Sequence, residues 1–149
     1  MPYSTRMTFG PDDPDFESFR MGIVRPVVGV AGWNEGRRRY FWPFTPSDRR
    51  DGSIICCVYE MDGDCAYLES GRDNVEYAEW DGMEQIEGER DVAIGLLLDL
   101  DHGKLTVYKN GRRLGIMKDG IAGDFCWILY ARDWVGTCRM AIERGELPE

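Results

Sequence analysis

Few side chains in this sequence could carry out chemistry, and their spacing favours no reaction centre. His102 is the only histidine, and it lies in the turn Asp101-His102-Gly103 between two apolar runs. One imidazole in a turn leaves no cysteine–histidine or serine–histidine pair and too few ligands for most zinc sites. We therefore expect His102 to be an exposed turn residue and the chain to have no catalytic residue, metal or cofactor.

The five cysteines form no recognisable framework. They are Cys56, Cys57, Cys65, Cys126 and Cys138. Their odd number and irregular spacing predict five free thiols, with Cys56 and Cys126 buried in apolar strands. Because neighbours in a strand point to opposite faces, Cys56 and Cys57 are not expected to bind one metal together. Reduced thiols favour a cytoplasmic location.

Acidic residues are concentrated between positions 60 and 91, where twelve of them stand against Arg72 and Arg90. Paired carboxylates on a β-sandwich could hydrolyse glycosides, but the acids cluster in residues 69–91, which have the composition of an exposed loop. A glycoside-processing enzyme is therefore our third hypothesis. The segment Met61–Cys65 lacks the alternating acidic spacing of a calcium loop, which predicts a solvated turn.

The segment Trp33–Phe44, "WNEGRRRYFWPF", mixes aromatic rings with three consecutive arginines. Trp, Tyr and Arg are enriched at interface hot spots, although about half of these rings are expected in the core. Guanidinium groups favour an acidic peptide partner over a neutral sugar. The predicted partner-binding residues are Trp33, Arg37, Arg38, Arg39, Tyr40, Trp42, Trp80, Asp81 and Trp134.

Net charge and hydropathy exclude other classes of partner. The formal charge of −9 opposes binding to nucleic-acid phosphates. No apolar run approaches the roughly 20 residues that span a bilayer, and the first residues show no signal-peptide pattern. Residues 20–50 carry seven arginines against Glu35 and Asp48. The acidic stretch 60–91 is expected either to form the wall that faces the Trp33–Phe44 segment across a binding surface or to pair internally with the arginines of that segment. A monomer is expected.

Strand patterns dominate the chain, whereas helical periodicity is nearly absent. Nine runs bounded by Gly, Asp or Asn predict an all-β fold, either a β-sandwich or a barrel, in one domain of 149 residues. The runs are YSTRMTF, SFRMGIV, SIICCVYEM, CAYLES, VAIGLLLDL, KLTVYKN, RLGIM, FCWILYAR and TCRMAIER.

The stretch 96–117 specifies a β-meander. Asn110-Gly111 suits a two-residue type I′ turn, and Gly103 supplies positive φ in the preceding turn. We expect antiparallel pairing of Val92–Leu100 with Leu105–Lys109, and of Leu105–Lys109 with Arg112–Met117. Leu105 and Val107 should be buried, and the continuously apolar VAIGLLLDL should be a central strand covered on both faces.

The same stretch resembles the C-terminal half of a SPRY domain. The pattern has an acidic residue, Ile-Gly, an apolar run, Asp-Leu-Asp, a Gly turn, an aromatic strand, Asn-Gly and Leu-Gly. It is matched by Asp91, Ile94, Gly95, Asp99, Asp101, Gly103, Tyr108, Asn110, Gly111, Leu114 and Gly115. "GDFCWILYAR" and "RMGIVRP" add to the resemblance, which covers about 60 residues in its main part.

The resemblance implies a bent antiparallel β-sandwich of two sheets, a concanavalin-like jelly roll. It also implies that the domain binds a peptide or a partner protein through loops at one edge and has no catalytic activity. Only YSTRMTF, without a histidine, is present for the family's entry strand, so the first strands are missing, shortened or divergent. Residues 27–53 form a long insertion. The alternative function is a lectin-like carbohydrate binder that uses Trp33, Trp42 or Trp80 as a stacking platform.

Overall fold

The computed structural model describes the backbone of residues 2–11, 18–25, 52–72, 74–86, 89, 92–132 and 138–145. Side chains are described for residues 20–25, 52–72, 74–86, 89, 92–129, 144 and 145. Within these ranges every regular element is a strand, and no helix long and apolar enough to cross a membrane occurs. The all-β prediction is confirmed.

Ten strands are formed by the described residues, and they build two antiparallel sheets. The strands are β1 (Pro2–Pro11), β2 (Ser18–Val24), β3 (Ile54–Glu60), β4 (Cys65–Glu69), β5 (Glu76–Ala78), β6 (Val92–Asp99), β7 (Lys104–Lys109), β8 (Arg112–Lys118), β9 (Cys126–Arg132) and β10 (Cys138–Arg144). The first sheet has the order β10-β1-β6-β7-β8, and the second has the order β5-β4-β3-β2-β9.

One apolar core fills the space between the sheets. The first sheet contributes Ile94, Leu96 and Val107, and the second contributes Met21 and Tyr59, all of them buried. Strand alternation explains this arrangement, because every second residue of β6 and β2 points to the same face. The two sheets therefore pack face to face as a β-sandwich.

The second sheet is apolar on its other face as well. There Val24, Cys56, Val58 and Leu68 are buried in a separate cluster, and Val75 and Ile128 are among the side chains that pack against it. Cys57, by contrast, belongs to the inter-sheet core. Neighbouring cysteines thus point to opposite faces of β3, as predicted from their adjacency.

The predicted meander has the expected register. Leu96 pairs with Val107 and Leu98 with Leu105 across β6 and β7, and β7 is antiparallel to β8. Asn110 has φ of +49° and Gly111 has φ of +80°, values that fit a type I′ turn. The Asn110 side chain adds a bond, since its Oδ1 accepts from the Ala93 amide at 3.0 Å.

All nine strand predictions are confirmed, with two corrections of detail. β6 is the central strand of its sheet, but Gly95 and Leu97 on its other face are only half-buried, so the prediction of full cover on both faces is wrong. The second correction is β5, which lies within the stretch predicted to be an exposed loop. Its three residues are too few to show a periodicity, and pairing with β4 defines the strand.

Replacing Gly111 tests the turn assignment. Gly111→Val should lower the free energy of unfolding by about 1–2 kcal/mol, because a β-branched residue resists positive φ. No atom outside the turn would touch the added Cβ, so the cost comes from the backbone conformation alone. Chemical denaturation measures the effect. The control Gly111→Asn should cost less, since Asn tolerates this conformation, and equal losses for both variants would contradict the assignment.

Candidate functional site

Three connections meet at one end of the sandwich, which we call the Trp80 end. They are turn 61–64 between β3 and β4, loop 79–86 after β5, and the turn Asn110–Gly111. The Ile86 amide donates to the Met61 carbonyl at 2.8 Å, and this bond ties the loop to the first turn. β9 ends and β10 begins at this end too, since Arg132 pairs with Ser18 and Cys138 with Pro11.

The opposite end, which we call the Phe125 end, holds turn 99–103 and loop 119–125. The two segments are joined by a bond of 3.0 Å from the Ile121 amide to the Gly103 carbonyl. The flanks of residues 26–51 also lie here, because Val24 pairs with both Cys56 and Cys126. The topology therefore brings the flanks of residues 133–137, which include Trp134, to the end that holds Trp80 and Asp81. It places the flanks of the Trp33–Phe44 stretch at the other end.

Trp80 is anchored in the Trp80 end. Its indole nitrogen donates to the Gly63 carbonyl at 2.7 Å, and its ring meets the Tyr59 ring edge-on with centroids 6.4 Å apart. The ring is half-buried against the inter-sheet core, and Gly63 is buried. The Tyr59 hydroxyl donates to the Glu84 carbonyl, so both rings hold loop 79–86. Asp81, the next residue, is exposed.

Backbone contact between loop 79–86 and β8 fixes the same loop from a second side. A Cβ on Gly82 would lie 2.1 Å from the Leu114 carbonyl oxygen, and Gly82 has φ of +95°. A Cβ on Gly115 would lie 2.6 Å from the Asp81 carbonyl oxygen. Neither distance is possible for real atoms, so the loop can cross the strand only because both residues are glycine. Asp81 is thereby presented from a rigid backbone.

Lys109 is the centre of an ion-pair network at this end. It lies at the end of β7, where its side chain is 12% exposed, and its Nζ is 2.7 Å from Glu89 and 3.4 Å from Glu84. Arg112 Nη2 lies 2.6 Å from Glu84. The hydrogen bond from Arg112 is the main cause that lowers the pKa of Glu84. Carboxylates of the acidic stretch are thus paired with the β7–β8 hairpin.

A second ion pair links the acidic stretch to the arginine-rich one. Arg20 Nε lies 2.7 Å from Glu60 Oε1, and both side chains are little exposed, 11% and 13%. Burial raises the pKa of Glu60, although Arg20 acts in the opposite direction. The expected pairing of acidic residues with the arginines of the Trp33–Phe44 segment lies outside the described residues and stays a prediction.

Turn 61–64 is a hydrogen-bonded hairpin turn. The Gly63 amide donates to the Glu60 carbonyl at 2.9 Å, and the Asp64 amide donates to Asp62 Oδ1 at 3.0 Å. Desolvation, together with Asp62 and Glu79, raises the pKa of Asp64. Three carboxylates therefore lie close together here. No group of three or more His, Cys, Asp or Glu side chains in the described part of the chain is arranged to hold a metal ion.

The remaining predictions have mixed outcomes. His102 is an exposed turn residue at the Phe125 end, and its Nδ1 lies 2.7 Å from Asp99 Oδ2. Four of the five cysteines are described, and they are free thiols. Cys57 and Cys65 lie 3.5 Å apart at their sulfur atoms, and the hydrogen bond between them and burial raise the pKa of Cys57. The predicted burial of Cys126 is wrong, since β9 begins there and the side chain is exposed.

Most of the predicted partner-binding residues lie outside the described residues. They are Trp33, Arg37, Arg38, Arg39, Tyr40, Trp42 and Trp134. Comparison with known proteins finds no family model and no curated protein that matches this sequence.

Lys109 is a residue that sequence reasoning missed at this site. Strand alternation from Leu105 and Val107 puts Lys109 on the core-facing side of β7, which is an unusual position for a lysine. That conflict is a usable signal, because a buried ammonium group requires nearby carboxylates. Its two partners, Glu84 and Glu89, could not be identified from spacing, since they come from a loop 20 or more residues away.

Trp80→Phe tests the anchoring of loop 79–86. The substitution leaves the buried Gly63 carbonyl without its donor and reduces packing against the core. We expect it to lower the free energy of unfolding by about 1–3 kcal/mol. Denaturant titration followed by circular dichroism measures this. Asp81→Asn at the exposed neighbour should change stability by less than about 0.5 kcal/mol. A Trp80→Phe variant with the same free energy of unfolding as the wild type would show that the indole does not hold the loop.

Glu60→Gln tests the buried ion pair through its pH dependence. Because the pKa of Glu60 is raised above its ordinary value of 4.5, the folded protein binds this proton more tightly than the unfolded chain. Between pH 4.5 and the raised pKa, the contribution of Glu60 to stability therefore falls as pH rises. The Glu60→Gln variant should gain stability relative to wild type from pH 4 to pH 7. A relative loss over that range would contradict the burial argument, and Glu76→Gln, at an exposed position, is the control.

Proposed function

We propose that this chain is a SPRY-like interaction module that binds a peptide or the surface of a partner protein, without catalysis, through the loops at the Trp80 end. The proposal rests on one observation: Asp81 is exposed on a loop that is held in place by the anchored Trp80 and by backbone contact with β8. The resemblance of the meander to SPRY domains supports the same conclusion, since these modules use loops at one edge of the sandwich.

Rigidity is what makes this loop suitable for recognition. A loop ordered before binding loses less conformational entropy when a partner docks. Loop 79–86 is held by the Trp80–Gly63 bond, by the Ile86–Met61 bond and by close backbone contact with β8. The scaffold beneath it is an antiparallel sandwich, which positions such loops with little room for movement.

Charge favours a basic partner at the described part of this end. Asp62, Glu79 and Asp81 are exposed carboxylates, whereas the nearby Arg112 is already paired with Glu84. A basic segment of a partner would therefore be attracted to this surface. The preference for an acidic partner predicted from Arg37, Arg38 and Arg39 stays a prediction.

The surroundings of Trp80 bear on the two alternatives. A sugar-stacking platform needs an open ring face and nearby side chains free to bond hydroxyl groups. Trp80 instead packs against the core and uses its nitrogen within the fold, which favours protein recognition over carbohydrate binding. A glycosidase would need two carboxylates across a cleft. The acids at this end lie on an exposed turn and loop.

A cytoplasmic location is part of the proposal. Its support is the reduced state of the four described cysteines, including Cys57 and Cys65 in direct contact. Disulfides form and persist in oxidising compartments and are rare in the cytosol.

The proposal is tested by charge reversal at matched positions. A partner is captured from native lysate with the wild-type protein and identified, and its dissociation constant is then measured for two variants. Asp81→Lys should weaken binding about tenfold, because it removes a central interaction and places a like charge against a basic partner. Asp124→Lys makes the same change of net charge at the Phe125 end and should leave this affinity unchanged.

Two results would contradict the proposal. A partner that binds the Asp81→Lys variant as tightly as the wild type would exclude loop 79–86 from the interface. A glycan captured in place of a protein, or turnover of a glycoside substrate by the purified chain, would favour one of the two alternatives.

A further inference from the structure

A cavity of about 250 Å³ lies between the sheets at the Phe125 end, away from the surface proposed above. Ile23 and Trp127 form its wall on the second sheet, and Leu98 and Leu100 form its wall on the first. Asp124 and Cys126 line it as well and are both exposed, so the cavity reaches the molecular surface.

The walls of the cavity are held in place by Arg25. Its Nε donates to the Ile54 carbonyl at 2.7 Å, and its Nη2 donates to the Ala122 carbonyl at 2.8 Å. The guanidinium group also lies 5.4 Å from the centre of the Phe125 ring, a cation–π distance. Arg25 thus fixes loop 119–125 to β3, with Phe125 as a wall of the cavity.

The other side of the same loop is fixed by Ile121. This residue is buried in the inter-sheet core, and its amide donates to the Gly103 carbonyl. A Cβ on Gly103 would lie 2.8 Å from the Ile121 carbonyl oxygen, so the two backbones touch. The cavity is therefore formed before any ligand arrives, which lowers the entropic cost of filling it.

The side chains that line the cavity determine which kind of ligand can bind there. Most of the described side chains that line it are aliphatic or aromatic, and the polar side-chain groups among them are the Asp124 carboxylate, the Cys126 thiol and the Trp127 indole nitrogen. A phosphate or carboxylate ligand would be repelled by Asp124, and a sugar would find too few hydrogen-bonding side chains. Pockets for whole small molecules usually measure about 300–1,000 Å³, so this volume suits a single apolar side chain better than a cofactor.

We propose that the cavity receives one bulky apolar side chain of a partner polypeptide, and that Asp124 pairs with a Lys or Arg beside that side chain. The surrounding charge is consistent with this occupant. Asp119 on the same loop is also an exposed acid, while Arg25 is engaged with two carbonyl groups and Phe125. The site is independent of the proposed function, because it lies at the opposite end of the sandwich.

Selection from a random peptide display library tests this directly. Peptides are selected on the wild-type protein and counter-selected on Leu100→Trp, which fills the cavity. The expected peptides share a Leu, Met or Phe with a Lys or Arg within two positions. They should bind the wild type about tenfold more tightly than either Leu100→Trp or Asp124→Lys. Asp81→Lys should leave their affinity unchanged.

Two further measurements locate the peptide and guard against misfolding. Cys126 lines the cavity and is exposed, so a bound peptide should slow its alkylation by iodoacetamide, as followed by peptide mass mapping. Cys126→Trp fills the cavity from an exposed position and replaces Leu100→Trp if that variant melts early. The proposal is overturned if selected peptides bind the filled variants as tightly as wild type, if they lack the basic residue, or if they leave Cys126 alkylation unchanged.

Discussion

Because side chains alternate from face to face along a strand, the register of β6 against β7 decides which residues reach the core. In this protein Leu96 lies opposite Val107 and Leu98 opposite Leu105. A slip of β6 by one residue would turn Leu96 and Leu98 towards the outer face and bring Gly95 and Leu97 inside. Turn 99–103 sets the register of β6 against β7, and the turn Asn110–Gly111 sets the register of β7 against β8. The positive φ angles in these turns therefore matter for the whole sandwich.

The two ends of the sandwich differ in how the inter-sheet space is closed. At the Trp80 end, Trp80 and Tyr59 fill it, and the ammonium group of Lys109 reaches two carboxylates above the core. At the Phe125 end, Phe125 is held against Arg25, and space for a side chain is left beside Leu98. The Trp80 end therefore presents a polar surface on a tightly held loop. The Phe125 end presents a depression lined mostly by apolar side chains.

Much of the architecture can be predicted from the sequence, because strand alternation and turn residues are local signals. Every strand with at least five residues is predicted by them, whereas β5 is not, because pairing with β4 alone defines it. Local signals fail where a neighbour distant in sequence decides the outcome. Cys126 stands in an apolar run yet is exposed, since the strand begins at the mouth of a cavity. Trp80 is of a residue type that is enriched at binding surfaces, but its indole nitrogen donates a hydrogen bond to the Gly63 carbonyl, 17 residues earlier.

The pairing of distant residues also decides which loops share a surface of this protein. Composition alone suggests a single surface built from the aromatic and acidic stretches. The strands β2 and β3 instead place the flanks of residues 26–51 at the Phe125 end, while loop 79–86 lies at the Trp80 end. A strand of seven residues spans about 23 Å, so substitutions at the two ends share no neighbours. Energetic effects at such a separation usually add, and each end can therefore be altered and measured without disturbing the other.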